Sequence, residues 1–116
     1  MRIDPLLHNR IDYALVVVLL ISPTLLDLSG AASYFTYALA LVHLCLTLAT
    51  DNGAHLRPLV SFPAHGLFEL FVTLSLVGVA FYMGRASGTT AKTFYLVLSI
   101  LLFLFWLFTP YEEEPA

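Results

Sequence analysis

The sequence predicts an all-α integral membrane protein, a four-helix bundle made of two tandem helical hairpins. Of its 116 residues, 59% are hydrophobic and only 11% are charged, whereas a soluble domain carries about a quarter charged residues. Four apolar stretches follow one another, and each has the roughly 18 to 22 residues needed to cross a hydrocarbon core. We therefore treat residues 1–116 as a single transmembrane domain.

The first hairpin is predicted from two apolar spans, over residues 9–28 and 32–50, joined at Ser29-Gly30. Pro23 lies inside the first span, where it should kink the helix, because a proline has no N–H to donate. The second span carries small and polar residues at spacings of three and four, which place them on one face of a helix. Lipid does not favour such a face, so we predict that another helix packs there. Its residues are Thr36, Ala40, His43 and Thr47.

The second hairpin is predicted from spans over residues 63–84 and 92–109. Pro63 suits the first turn of a helix, and Pro110 closes the last span. Residues 85–90 form the turn between these spans, and the polar stretch 51–58 links the two hairpins. Trp106 and Tyr111 suit an aromatic belt at the membrane interface.

A histidine and an acid occur four residues apart at the start of each hairpin. His8 and Asp12 form the first pair, His65 and Glu69 the second, and the two pairs are 57 residues apart. On a helix each pair shares one face. We interpret the spacing as an internal duplication, with half-repeats over residues 5–51 and 62–111.

These ionisable residues admit several interpretations. Carboxylates are favoured near helix starts, so the pairs can simply lie solvated at headgroup level. Histidine and carboxylate ligands can instead hold a divalent metal through His8, Asp12, His65 and Glu69. A third interpretation is a proton relay through Asp12, His43 and Glu69, which lie at similar depth. No catalytic motif occurs, and no other cofactor is predicted.

The layout resembles the small bacterial membrane proteins built from SPW repeats. The resemblance depends on Ile21-Ser22-Pro23-Thr24 and on the loop and helix from Asp51 to Glu69. Thr24 stands in place of the motif's tryptophan, and Val79-Ala80-Phe81 stands where the motif would recur. The resemblance implies two helix pairs and a bacterial inner-membrane location, but no biochemical activity.

Charge and topology set the remaining expectations. Four spans place both termini on one side of the membrane. That side carries three basic residues, Arg2, Arg10 and Arg57, and the other side carries two, Arg85 and Lys92. Because basic residues are more frequent on the cytoplasmic side, the count favours cytoplasmic termini. The absence of a basic cluster argues against nucleic acid as a partner. The acidic run Glu112–Glu114 is predicted to be a solvated tail. The predicted function is a small non-catalytic accessory or scaffold subunit, self-associating or part of a larger membrane complex. The alternative is a bundle that binds a metal ion or relays protons.

Overall fold

The computed structural model describes residues 2–50 and 59–112, and within them it contains four α-helices and no β-strand. The helices are α1 (Pro5–Leu25), α2 (Gly30–Ala49), α3 (Phe62–Ser87) and α4 (Thr89–Leu107). The predicted all-helical fold with four helices is therefore confirmed. The polar loop 51–58, which includes Arg57, and Glu113 and Glu114 of the acidic tail lie outside the described residues.

The first helix of each hairpin begins at a capped turn that contains proline. The Asp4 carboxylate accepts a hydrogen bond from the Leu7 N–H at 2.8 Å, and the Ser61 hydroxyl accepts one from the Ala64 N–H at 3.2 Å. Such caps satisfy backbone N–H groups that have no partner inside the helix. Because Asp4 is the cap, α1 begins four residues before the predicted start of the first span, and His8 lies inside the helix.

The turn between α1 and α2 uses two residues with positive φ. Asp27 has φ 53° and Gly30 has φ 51°, a region that glycine, asparagine and aspartate enter most readily. Pro23 stays within the last turn of α1, and the helix ends at Leu25, three residues short of the predicted end.

The turn between α3 and α4 is shorter than the sequence suggests. Gly88, with φ 98°, is the only residue between the two helices, and its N–H donates to the Gly84 carbonyl. The predicted turn over residues 85–90 is thus mostly helical. A single glycine suffices because it reverses the chain at a backbone conformation that side chains disfavour.

The helices pack as two hairpins, α1 against α2 and α3 against α4, with α2 also packing against α3. Leu19, Leu76 and Tyr95 are fully buried and form the middle of the core. Large apolar side chains cover much of the outside, among them Phe71, Leu104 and Val17. All four helices are long and apolar enough to cross a membrane, so this outer surface is consistent with contact with lipid.

Candidate functional site

A cluster of ionisable side chains lies at the end of the bundle where α1 and α3 begin and where α2 and α4 end. α1 supplies His8 and Asp12, and α3 supplies His65 and Glu69. We call these four residues the polar cluster. They are 0, 1, 1 and 4% exposed, respectively. These side chains are therefore buried by the protein and not solvated, contrary to the first interpretation.

Four contacts join the polar cluster into a closed ring of alternating nitrogen and oxygen atoms. His8 Nε2 lies 3.3 Å from Asp12 Oδ2 and 3.1 Å from Glu69 Oε2. His65 Nε2 lies 3.4 Å from Asp12 Oδ2 and 3.3 Å from Glu69 Oε2. These ligand atoms all lie within 4.8 Å of one another. The cluster is thus compact enough to hold a metal ion.

Hydrogen bonds alone do not explain why these four atoms lie so close together. Of the four contacts, the one from His8 Nε2 to Glu69 Oε2 has hydrogen-bond geometry, whereas His65 Nε2 has no hydrogen-bond partner among the described residues. Each Nε2 atom faces two carboxylate oxygens, and one N–H can point well at only one of them. A cation at the centre of the ring would satisfy all four atoms at once.

Two threonines fix the orientation of the histidine rings from outside the ring of contacts. His8 Nδ1 lies 2.9 Å from Thr109 Oγ1, and His65 Nδ1 lies 2.7 Å from Thr50 Oγ1. Each threonine hydroxyl donates its own hydrogen to a backbone carbonyl one turn earlier, of Phe105 and of Leu46. Each Oγ1 must therefore accept from Nδ1–H, which leaves the inward-facing Nε2 available as a ligand in the neutral imidazole.

The two threonines come from the opposite hairpin in each case. Thr109, just beyond α4, supports His8 of α1, and Thr50, just beyond α2, supports His65 of α3. The backbone repeats this exchange, since the Ile3 N–H donates to the Phe108 carbonyl at 2.9 Å. The internal duplication inferred from the sequence stays a prediction, but both halves supply the same kinds of contact.

Tyr111 covers the polar cluster from the segment after α4. Its hydroxyl donates to Glu69 Oε2 at 3.0 Å, and its ring lies over Gly66, where a Cβ atom would come within 2.5 Å of the ring. Burial and the neighbouring Glu69 carboxylate raise the pKa of Tyr111 above its usual value, so the phenol keeps its proton. The ring thus covers the polar cluster as a lid, and its predicted place in an aromatic belt stays a prediction.

The predicted relay residues are only partly connected. His43 Nε2 lies 3.1 Å from Asp12 Oδ1, on the side of the carboxylate that faces away from His8 and His65. No hydrogen bond within the described residues joins His43 to Glu69. Asp12, His43 and Glu69 are therefore neighbours, but direct contacts do not make them a continuous chain.

The predicted packing face of α2 points into the bundle. Thr36, Ala40 and Thr47 are at most 1% exposed, and the His43 side chain is 11% exposed. Thr36 Oγ1 lies 2.7 Å from the Tyr95 hydroxyl of α4. Because the chain's own helices cover this face, a partner protein would have to bind elsewhere.

Three contributors to the site were not predicted from the sequence: Thr50, Thr109 and Tyr111. The sequence shows a threonine at the end of the second helix of each hairpin. Each threonine is far in sequence from the histidine that it contacts, so the sequence pattern does not predict the contact. The chain matches no protein-family model, no curated protein and no solved structure in the comparisons made. The function must therefore be argued from the geometry of the polar cluster.

Proposed function

We propose that the chain is an integral membrane protein that holds one divalent transition-metal ion, zinc foremost, between its two hairpins. The observation that carries the proposal is the ring of Nε2 and carboxylate oxygens, with edges of 3.1 to 3.4 Å. For zinc bonds of about 2.0 to 2.1 Å, tetrahedral ligands stand about 3.3 to 3.4 Å apart, which the four edges match. The two diagonal pairs of atoms lie within 4.8 Å of each other and would close to the same separation around a bound ion. His8, Asp12, His65 and Glu69 would be the four ligands.

Charge balance supports the same assignment. Asp12 and Glu69 are buried, and two carboxylates without compensating charge are costly in a membrane. A divalent cation neutralises both while His8 and His65 stay neutral. Protonation of both histidines would balance the charge as well, but it would leave His65 Nε2–H without a well-directed acceptor. The contacts to Thr50 and Thr109 are the outer-shell hydrogen bonds that orient metal-bound histidines.

A closed site of this kind suits a structural metal. Four protein ligands and burial of the whole cluster leave no exposed position for a substrate, as in structural zinc sites. The ion would tie α1 to α3 and thereby one hairpin to the other. This proposal takes up the alternative predicted from the sequence, a bundle that binds a metal ion, and the accessory or scaffold role stays a prediction. A bacterial inner-membrane location with cytoplasmic termini, self-association and SPW-repeat membership stay predictions.

Metal analysis of the full chain purified in detergent tests the proposal. We expect about one zinc ion per chain after equilibration with zinc and removal of excess metal, because the site offers one set of four ligands. The double variant Asp12→Asn/Glu69→Gln should lose this metal, since an amide oxygen is a weaker and uncharged ligand.

Asp27→Asn is the matched control, because Asp27 is an acid at the opposite end of α1. This variant should keep the full metal content. A wild-type chain that stays metal-free after titration with zinc, iron and manganese would overturn the proposal. Equal metal content in the wild type and the double variant would also overturn it, since the metal would then lie elsewhere.

A further inference from the structure

A small cavity lies between the four helices beside the polar cluster. It has a volume of about 20 Å³, and side chains from α1, α2, α3 and α4 line it. Most of the lining is apolar and includes Leu19, Val72 and Leu102. Its polar lining residues are His43 and Glu69, the two relay candidates that no direct contact joins.

Each of these two residues has an unpartnered polar atom. Glu69 Oε1 makes no hydrogen bond to any described residue. His43 Nε2 lies 3.1 Å from Asp12 Oδ1, but this contact lacks hydrogen-bond geometry, so the nitrogen also has no hydrogen-bond partner among the described residues. Glu69 Oε2, in contrast, contacts polar atoms of His8, His65 and Tyr111. The two oxygens of this carboxylate therefore differ in their number of polar contacts. Leaving a buried polar atom without a hydrogen-bond partner is unfavourable, and more so for a charged group.

The size of the cavity limits what it can hold. A void needs about 10 to 15 Å³ of space for the centre of a probe sphere to accept one water molecule, and the 20 Å³ here meets that need once. A ligand that bonds to both polar atoms must be a hydrogen-bond donor to one and an acceptor from the other. Glu69 Oε1 can only accept a hydrogen bond when ionised, whereas a protonated His43 Nε2 can only donate.

We propose that this cavity is a binding site for one water molecule, which donates to Glu69 Oε1 and accepts from His43 Nε2–H. A ligand of this size must be both donor and acceptor, which fits water and excludes a diatomic gas. The water would join His43 to Glu69 and hold the carboxylate so that Oε2 stays turned towards the two histidines. This inference goes beyond metal binding, because it depends on the cavity and on two atoms outside the ring of contacts.

A crystal structure of the full chain at a resolution that shows ordered water tests the proposal. We expect one density peak within hydrogen-bond distance of both Glu69 Oε1 and His43 Nε2 in the wild type. His43→Leu should lose the peak, because a buried water needs two to four polar partners and only Glu69 would remain. Ser99→Ala is the matched control, since it removes a buried hydroxyl of α4 that bonds to the Thr73 carbonyl and does not line the cavity.

Crystals grown with zinc and with a chelator separate this proposal from the metal proposal. A peak in both crystals supports the water site whether or not zinc binds. A wild-type cavity without density, in a structure that shows other buried water, would overturn the proposal. An unchanged peak in His43→Leu would overturn it too, since His43 would then not be a partner.

Discussion

At the scale of single residues, two threonine hydroxyls hold the histidine rings of the polar cluster in place. Thr50 and Thr109 accept from the Nδ1–H groups of His65 and His8, and they select the tautomer whose Nε2 is free to bind metal. Loss of an outer-shell partner typically weakens metal binding 10- to 100-fold. We expect Thr50→Val and Thr109→Val each to raise the Kd for zinc about tenfold or more, measured by competition with a chelator.

Thr36→Val is the control for these two variants. Thr36 is equally buried, but it bonds to the Ala32 carbonyl and lies beside the Tyr95 hydroxyl, away from the polar cluster. Its zinc Kd should match that of the wild type. Equal weakening in all three variants would mean that a general loss of packing, and not the histidine tautomer, lowers the affinity.

Gly66 is the residue that lets the Tyr111 ring lie over the polar cluster. A Cβ atom at Gly66 would meet the ring at 2.5 Å, whereas one at Gly78 would meet nothing within 4 Å. Gly66→Ala should displace the lid and speed the release of zinc to a chelator several-fold, while Gly78→Ala should not. Alanine also favours the helix by about 1 kcal/mol over glycine, so faster release would not reflect a weaker helix.

Tyr111→Phe separates the lid from its hydrogen bond. This variant keeps the ring and removes the hydroxyl that donates to Glu69 Oε2. Release faster in Gly66→Ala than in Tyr111→Phe would assign the effect to covering the site. Unchanged release in Gly66→Ala would contradict the role of the ring as a lid.

At the scale of the helices, the sequence predicts the elements better than it predicts their ends. Apolar length and low charge indicate four helices, because an apolar segment of about 20 residues satisfies its own backbone hydrogen bonds in lipid as a helix. The ends differ because local capping decides them. Asp4 starts α1 ahead of the apolar run, and Gly88 alone separates α3 from α4. Neither residue stands out in a hydropathy pattern.

The site was predictable only in part for a related reason. The spacing of four residues in each His–acid pair reports a shared helix face, so His8, Asp12, His65 and Glu69 could be named from the sequence. Contacts between distant parts of the chain leave no such pattern. His8 meets Thr109, from the other end of the described chain, and the sequence gives no sign that Tyr111 folds back over Gly66.

The helices are held at the opposite end of the bundle by a separate polar contact. The Tyr95 hydroxyl of α4 donates to the Ala32 carbonyl of α2 at 2.9 Å, and Tyr95 is fully buried. Tyr95→Phe should lower the free energy of unfolding by about 0.5 to 1.5 kcal/mol, the usual net worth of one hydrogen bond. Denaturation in mixed detergent measures this loss, and the zinc Kd should stay unchanged. A large loss of zinc affinity would show that the two ends are coupled.

At the scale of the whole molecule, different kinds of polar contact join the two hairpins at the two ends of the bundle. Tyr95 joins α2 and α4 at one end through a neutral hydrogen bond, whereas the polar cluster joins α1 and α3 at the other end. The neutral contact needs no ligand. The polar cluster brings two carboxylates together, so its stability must depend on the charge placed between them.

Removal of the metal should therefore loosen one end of the bundle and leave the other intact. A ligand that binds only the folded state stabilises it by about 2.7 kcal/mol at 100 times its Kd, so a chelator should lower the Tm by several degrees. Hydrogen exchange should become faster at the starts of α1 and α3, around Asp12 and Glu69, and stay slow around Tyr95. The Asp12→Asn/Glu69→Gln variant has no carboxylate in the polar cluster, so chelator should change neither its Tm nor its exchange. Uniformly faster exchange along all four helices would contradict this prediction, because it would mean that the metal stabilises the whole fold and not one end of the bundle.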